Sequence, residues 1–454
     1  MKKRILSMLL VLTMLFSSMA MLSGCFGGNG DGTGDGGGNG GDVTGPTGDA
    51  VTITFWHPIT GPDSKYMQDL IKNFNKENEG KIFVKASAQA EASHYDKITN
   101  SFTDNSTADL CLIHKSRVSQ YAYSGKLTDM SAILASNGIK AEDYVGDSWS
   151  ACEIAGKMYA MPYDTLPILL YYNRALIPEG YTEADILSED FTVEKMLEMA
   201  KAAYDASNPR QVKYGIAFNF SYTADMFLGF LTQFDQKPVS VDDPYTALFD
   251  NENGKLIAEA IMSMPATKAD DGKSICSASG ADHLDIFSQG RALFTLDGIW
   301  SAPDACTDVP GRLDTGVALL PKVNSSVNRT VSSDGHVFAM FNTANGGKVD
   351  AAKQDAIGKF VKYLSDNSVE WCKGGKVAVR AEVANNADYM ALEWGYLSTK
   401  LDSISSPVKV HTFKAITSRI GFHVANLCEG RETDVVKALS DAASEGEALA
   451  KELK

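Results

Sequence analysis

The alternation of strand and helix signals at the start of the globular part limits the possible folds of this chain more than any other feature. Residues 51–57 form a β-branched and aromatic run, and apolar residues at helical spacing follow over 66–74. A second strand is predicted over 81–88, a short helix over 93–102 and a third strand over 109–113. Strand, helix, strand, helix, strand is typical of an α/β domain with a mainly parallel sheet.

Polar and aromatic side chains follow the first and third of these strands. Trp56 and His57 end the first strand, and His114 and Arg117 come directly after the third. Because ligands usually bind beyond the carboxyl ends of the strands in an open α/β sheet, these four residues are candidate ligand contacts. The two histidines are equally consistent with ordinary hydrogen-bonded residues, and Arg117 with the solvated face of a helix.

A second informative stretch lies at residues 287–303. An apolar run over 292–296 predicts a buried strand, and Asp297 with its following glycine predicts the turn after it. Trp300 comes just beyond this turn, where it would offer a flat face and one N–H donor to a ligand. The structural alternative is a core tryptophan beside a turn, with Asp297 as an ordinary turn acid.

The N-terminal segment has the pattern of an export signal. Basic residues at positions 2–4 precede an apolar run over 5–21, and Leu-Ser-Gly stands directly before Cys25. Cys25 in this context resembles the lipid-modified cysteine of bacterial lipoproteins, so we expect residues 1–24 to be removed as a signal peptide and Cys25 to carry the lipid. Residues 25–49 are rich in Gly and Asp and predict a flexible tether.

Charge and cysteine spacing exclude several classes of partner and site. A formal net charge of −15 on 454 residues argues against nucleic-acid binding and against electrostatic docking on anionic lipid, and the length predicts two or more domains. The cysteines other than Cys25 show no metal-ligand spacing, so no cysteine metal site is predicted. No cofactor is expected, and whether acids of the tether bind calcium is left open. Whether any of them pair is left open; they are Cys111, Cys152, Cys276, Cys306, Cys372 and Cys428.

Six stretches of the globular part occur in a recognisable order. They are ITFWHP (53–58), ADLCLIHKSRVSQYAYSGKLTDM (108–130), GKMYAMPYDTLPILLYYNRALIPEG (156–180), QGRALFTLDGIWS (289–301), GVALLPK (316–322) and CEGRETDVVKAL (428–439). In this order the chain resembles the extracellular solute-binding proteins of bacterial ABC importers, specifically the sugar-binding group that includes maltose-binding proteins. The resemblance implies an α/β, periplasmic-binding-protein-like (type II) fold, a two-lobed clamshell with mixed sheets and an inter-lobe cleft.

The resemblance also implies how the chain divides between the lobes. The expected division is 50–163 with about 320–350 for the N-terminal lobe, and 164–319 with about 351–454 for the C-terminal lobe. The chain would cross between the lobes near 161–165 and again near 317–321. Closure of the lobes about this hinge would trap the ligand.

A sugar site requires aromatic platforms beside planar polar groups, because a pyranose has apolar C–H faces and a polar rim. The candidate platforms are Trp56, Tyr163, Tyr222 and Trp300. Trp300 stands at the position of a stacking tryptophan of the family. The candidate polar partners are His57, His114, Arg117, Asp164, Asn219, Asp297 and Asp334, of which Asp164 also fits a turn acid. Ile113 replaces an aromatic residue of the maltose-binding pattern, which argues against a long malto-oligosaccharide site.

The predicted function is capture of a carbohydrate outside the cell and delivery to the transmembrane permease subunits of an ABC importer. We expect a non-enzymatic monomer at the extracellular face of the cytoplasmic membrane, attached only through the lipid on Cys25. Three alternatives stay open: the same fold binding a polyamine or glycerol phosphate, a surface-anchored glycan sensor, and a glycosidase with a carboxylate pair such as Asp164 and Asp297. No G-x-S-x-G, H-E-x-x-H or phosphate-loop motif favours an enzyme.

Overall fold

The computed structural model describes residues 45–454, apart from 209, 278–281, 308, 312, 348 and the side chain of Asn345. The predicted signal peptide (1–24), the predicted lipid site Cys25 and most of the predicted tether lie outside the described residues.

The strands of the described part fall into two large sheets and one small hairpin. In chain order they are β1 (Val51–His57), β2 (Ile82–Ala88), β3 (Leu110–His114), β4 (Glu153–Ile154), β5 (Lys157–Met158), β6 (Met161–Pro162), β7 (Leu166–Asn173), β8 (Tyr214–Ala217), β9 (Cys276–Ser277), β10 (Ala292–Gly298), β11 (Thr315–Leu319), β12 (Val331–Asp334), β13 (His336–Ala339) and β14 (Ile404–Ser405).

The α-helices of the described part cover both sheets. In chain order they are α1 (Ser64–Glu77), α2 (Glu91–Ser101), α3 (Val118–Tyr123), α4 (Ser131–Ser136), α5 (Ser148–Ala151), α6 (Glu183–Leu187), α7 (Val193–Ala203), α8 (Thr223–Leu231), α9 (Glu252–Ala266), α10 (His283–Ser288), α11 (Ala302–Ala305), α12 (Ala351–Asp366), α13 (Ser368–Cys372), α14 (Ala381–Ala384), α15 (Ala387–Met390), α16 (Phe413–Thr417), α17 (Ile420–Cys428) and α18 (Val435–Lys451).

The first sheet has the strand order β2-β1-β3-β13-β6. β1 pairs in parallel with β2 and β3, whereas β13 runs antiparallel to β3 and β6. The run from Leu110 to Ile113 in β3 is buried throughout, as expected for a central strand covered by helices on both faces. The strands predicted over 51–57, 81–88 and 109–113 therefore form one side of this sheet.

The second sheet is built around β7, which is buried along its whole length. Its order is β14-β12-β7-β10-β8-β9, and β11 also pairs with β7. β7 runs antiparallel to β10 and β11, whereas β10 and β8 are parallel. Two mixed sheets covered by helices confirm the predicted α/β fold class.

Each sheet has its own hydrophobic core, so the chain forms two lobes. Phe55, Leu112 and Phe338 belong to the core of the first lobe, and Tyr171 and Phe294 to that of the second. The apolar face predicted on α12 is present, but it packs in the first lobe. We had assigned residues 351–366 to the second lobe, and this is wrong. The ring centroid of Phe360 in α12 lies 4.9 Å from that of Phe74 in α1, inside the first lobe.

The chain passes from the first sheet to the second over residues 163–165, between β6 and β7, within the range predicted for the first crossing. The second crossing was predicted at 317–321, and this is wrong, because β11 pairs with β7 inside the second sheet. The chain returns instead at Gly335, between β12 and β13. A third crossing follows α13, where Trp371 packs in the first core and Val377 in the second.

No helix of the described residues is long and apolar enough to span a membrane.

Candidate functional site

A cavity of about 950 Å³ lies between the two lobes. Its first wall comes from the end of β3 and from α2 and α3, and carries Glu91, His114, Arg117 and Gln120. Its second wall comes mainly from α8, the turn after β10, and α16 to α18. The polar and aromatic residues of that wall are Tyr222, Asp225, Trp300, Ser332, Asp334, Phe413, Lys414, Thr417, Ser418 and Glu452. The volume is within the usual range of small-molecule sites.

Trp300 and Tyr222 form an aromatic corner of this cavity. Their ring centroids lie 5.6 Å apart with an interplanar angle of 69°, an edge-to-face arrangement. Trp300 is held by a short turn directly after β10, and a Cβ atom at Gly298 would lie 2.2 Å from its ring. Only glycine at this position lets the indole fold back over the backbone. Trp300 is half-buried: it packs against the core of the second lobe and also lines the cavity.

Asp297, the acid of the same turn, is fully buried and does not line the cavity. Its carboxylate accepts hydrogen bonds from the Gly298 amide at 2.6 Å and the Ser301 hydroxyl at 3.1 Å, and it bonds to Nε2 of His283. Its oxygens are therefore occupied by the turn and by α10. The two alternatives for Asp297 were an acceptor for sugar hydroxyls and a turn acid. Its contacts are those of a turn acid.

Asp334 lines the cavity at the second crossing and joins the two lobes. Its carboxylate accepts from the Ser116 amide and the Gly335 amide, each at 3.0 Å, and lies 3.5 Å from Nζ of Lys414. Burial works to raise the pKa of Asp334, but Lys414 and the Ser116 hydrogen bonds outweigh it and hold the pKa well below its usual range. Asp334 is therefore a fixed anion whose charge is largely compensated.

His114 and Arg117 of the first-lobe wall both contact Tyr95, which is buried and does not line the cavity. The Tyr95 hydroxyl lies 2.6 Å from Nδ1 of His114, and the guanidinium of Arg117 lies 4.1 Å from the centre of the Tyr95 ring. Burial lowers the pKa of His114 to about 4, so this imidazole is neutral at physiological pH. Nε of Arg117 and Oε1 of Gln120 are buried and have no partner among the described residues.

Three residues at the first crossing and the end of β1 lie in the core of the first lobe. Tyr163 is buried and stacks on Trp371, with ring centroids 5.3 Å apart, so its face is covered by protein. Asp164 is fully buried, and its oxygens accept from the backbone and ring of His336. His57 is also buried, and burial lowers its pKa to about 4. The structure thus corrects the expectation that these three side chains contact the ligand.

Trp56 and Asn219 also lie outside the cavity. Trp56 lines a separate open depression on the first lobe, and Nζ of Lys97 lies 4.0 Å above its ring. Asn219 is buried, and its side-chain oxygen accepts from the Ser221 amide, which caps the turn before α8. Of the predicted ligand contacts, those that line the cavity are His114, Arg117, Tyr222, Trp300 and Asp334.

Sequence reasoning missed several residues of the cavity wall, among them Glu91, Gln120, Asp225, Phe413 and Lys414. Asp225 follows Tyr222 by three residues, so its position one helical turn later was a usable signal. Phe413 and Lys414 had no such signal, because only the packing of the C-terminal helices brings them to the cleft. No cluster of potential metal ligands occurs among the described residues.

Two sheets, two cores and a cavity between them define a two-lobed α/β binding protein. Residues 69–392, more than two thirds of the chain, match the family of bacterial extracellular solute-binding proteins. The chain belongs to this family, as its motif order predicted. No curated protein sequence is significantly similar to the chain.

Solved structures of this class have the same fold at low sequence identity. An ABC transporter solute-binding protein of Thermotoga lettingae TMO, bound with α-D-tagatose, is 21% identical, with a TM-score of 0.71 over 88% of this chain and 100% of its own. The GacH receptor of Streptomyces glaucescens, solved unliganded and with acarbose, is 19% identical. The match has a TM-score of 0.72 and covers 89% of this chain and 100% of the receptor chain. Maltose-bound T. maritima MalE3 is 17% identical, with a TM-score of 0.72 over 88% and 100%.

Proposed function

We propose that this protein is the substrate-binding component of an ABC importer, which captures a carbohydrate outside the cell and delivers it to the membrane permease. Membership of the extracellular solute-binding family supports the binding role. The observation that carries the sugar assignment is the Trp300–Tyr222 corner, an aromatic surface beside polar groups inside the inter-lobe cavity. Structures of the same fold that hold tagatose, acarbose and maltose are consistent with it.

Removing the indole tests this assignment. Trp300→Ala should weaken the binding of a sugar identified in a thermal-shift screen by about 1–3 kcal/mol, because stacking area on the C–H face is lost. The affinity is measured by isothermal titration calorimetry. Trp56→Ala is the matched control, since this half-buried tryptophan of the first lobe lies outside the cavity. An unchanged affinity in Trp300→Ala would contradict the placement of the sugar.

The same proposal includes the absence of catalysis. The carboxylates considered as a glycosidase pair, Asp164 and Asp297, are both fully buried with their oxygens bonded to protein donors. Neither lines the cavity, so neither is positioned to attack or protonate a bound glycoside. Incubation of the protein with oligosaccharides should leave them intact; release of shorter products would show that the binding-protein assignment is incomplete.

We also propose that the chain works as a monomer, anchored at the extracellular face of the cytoplasmic membrane by a lipid on Cys25. The basic, apolar and small-residue pattern of residues 1–25 supports the anchor. Both walls of the cavity come from one chain, which supports a monomeric binding unit. The Gly- and Asp-rich segment 25–49 would then give the lobes reach from the membrane to the permease.

A further inference from the structure

The charges on the wall of the inter-lobe cavity are unbalanced. Its lining contains four carboxylates, on Glu91, Asp225, Asp334 and Glu452, and two permanent cations, on Arg117 and Lys414. His114 adds no charge, because burial lowers its pKa to about 4. The cavity therefore has a net negative charge at neutral pH, which disfavours an anionic ligand.

One of the two cations is compensated by an acid of the wall, and the other has no ion-pair partner among the described residues. Lys414 lies 3.5 Å from the carboxylate of Asp334, so these two charges largely cancel. The guanidinium of Arg117 lies over the Tyr95 ring at 4.1 Å, a cation–π contact on the first-lobe wall. The excess negative charge is thus located at the remaining acids.

Two of these acids, Asp225 and Glu452, have no hydrogen-bond or ion-pair partner among the described residues, and Asp225 is the one beside Tyr222. It lies on α8, three residues after Tyr222, and its side chain is exposed to the cavity. No other described residue forms a hydrogen bond or ion pair with its carboxylate. Solvent reaches the carboxyl through the cavity, but the surrounding protein atoms desolvate it and raise its pKa to about 6; Asp334 and Glu91 add to this shift, while Lys414 opposes it.

We propose that the sugar bound in this cleft carries a basic amine, and that Asp225 is the residue that selects for it. This inference rests on the proposed sugar-binding function. The positive charge of an ammonium group would complement the net negative charge of the wall. Its three N–H donors could bond to the free carboxylate oxygens of Asp225. The Trp300–Tyr222 corner, one helical turn away from Asp225, would cover the apolar face of the same sugar ring.

A matched set of sugars tests the proposal on the full-length protein. Glucose, glucosamine and glucuronate, with the corresponding galactose series, are titrated at about pH 7, where the carboxylate of Asp225 is mainly ionised. We expect the amine form to bind about tenfold more tightly than the neutral form, and the uronate most weakly, because a charge-assisted hydrogen bond is stronger than a neutral one. The preference for the amine should disappear at about pH 5, where Asp225 is protonated.

Two variants assign the preference to one side chain. Asp225→Asn keeps the shape and removes the charge, so the ratio between amine and neutral affinities should fall to within about twofold. Glu259→Gln removes one exposed charge from α9 on a different surface of the second lobe and should leave the ratio unchanged. Equal binding of the neutral and amine forms, or tightest binding of the uronate, overturns the inference and leaves the sugar-binding function intact. Absence of binding by every sugar refutes both.

Discussion

Replacement of Asp164 is the sharpest test of how the first crossing is held. This carboxylate lies between β6 and β7 and is fully buried. It accepts the backbone amide of His336 at 2.6 Å, the ring Nδ1 of His336 at 2.8 Å and the indole N–H of Trp371 at 2.7 Å. His336 follows the second crossing and Trp371 precedes the third, so one side chain connects all three.

The expected loss of stability follows from the buried donors that the substitution leaves without an acceptor. Asp164→Ala removes the acceptor of three buried donors, and breaking a buried hydrogen-bonded charge site of this kind costs about 3–5 kcal/mol. Taking ~4 kcal/mol, and roughly 2 cal/mol/K of unfolding entropy for each of ~410 globular residues, the melting temperature should fall by about 5 °C. Asp164→Asn keeps one acceptor oxygen, so its melting temperature should fall by about half as much.

Differential scanning calorimetry measures these shifts, and near-ultraviolet circular dichroism reports the environment of Trp371. The matched control is Asp304→Ala, since this acid of α11 is exposed and makes no bond with another described residue. If Asp164→Ala melts within about 1 °C of the unchanged protein, the buried hydrogen bonds of Asp164 contribute no net stability and the prediction is wrong. A selective loss of sugar affinity without loss of stability would instead return Asp164 to the ligand site.

Three further predictions concern the hinge, the pH dependence and the membrane anchor. Gly335→Ala should cost about 1–3 kcal/mol, since a Cβ there would lie 2.3 Å from the carbonyl oxygen of Asp164; calorimetry showing full stability would contradict this close packing. The pKa values of Asp164 and Asp334 are lowered, so their contribution to stability is present above about pH 4 and is lost as pH falls below it; melting temperatures across this range should decline less steeply in Asp334→Asn. Cys25→Ser should release the protein from membrane fractions, and retention of the variant on membranes would refute the lipid anchor.

Much of the fold was predictable from local patterns. The strands at 51–57, 81–88 and 109–113 and the apolar face of α12 are visible in the sequence, because burial on one or both faces imposes a period on the residues. The second crossing and the lobe of α12 were not predictable in this way. An apolar strand such as β11 has the same sequence pattern in either sheet. Only its pairing with β7 shows that it belongs to the second sheet.

The candidate site also contains residues that the sequence predicted and residues that it could not predict. Trp300 and Tyr222 could be named in advance because a bulky aromatic beside a turn at a strand end is typical of a ligand platform. The acids near them could not be sorted in advance. Asp164 and Asp297 face inward and are bonded to protein donors, whereas Asp225 faces the cavity with no partner.

The α/β class, the family and the turn that presents Trp300 follow from local sequence patterns, because they depend on residues close together in the chain. Which polar groups are free to bind a ligand depends on contacts between distant parts of the chain. The carboxylate of Asp164 is satisfied by His336, 172 residues away, and that of Asp334 by Ser116, 218 residues away. Hydrogen bonds over such separations depend on how the lobes are assembled, and no local pattern contains that information.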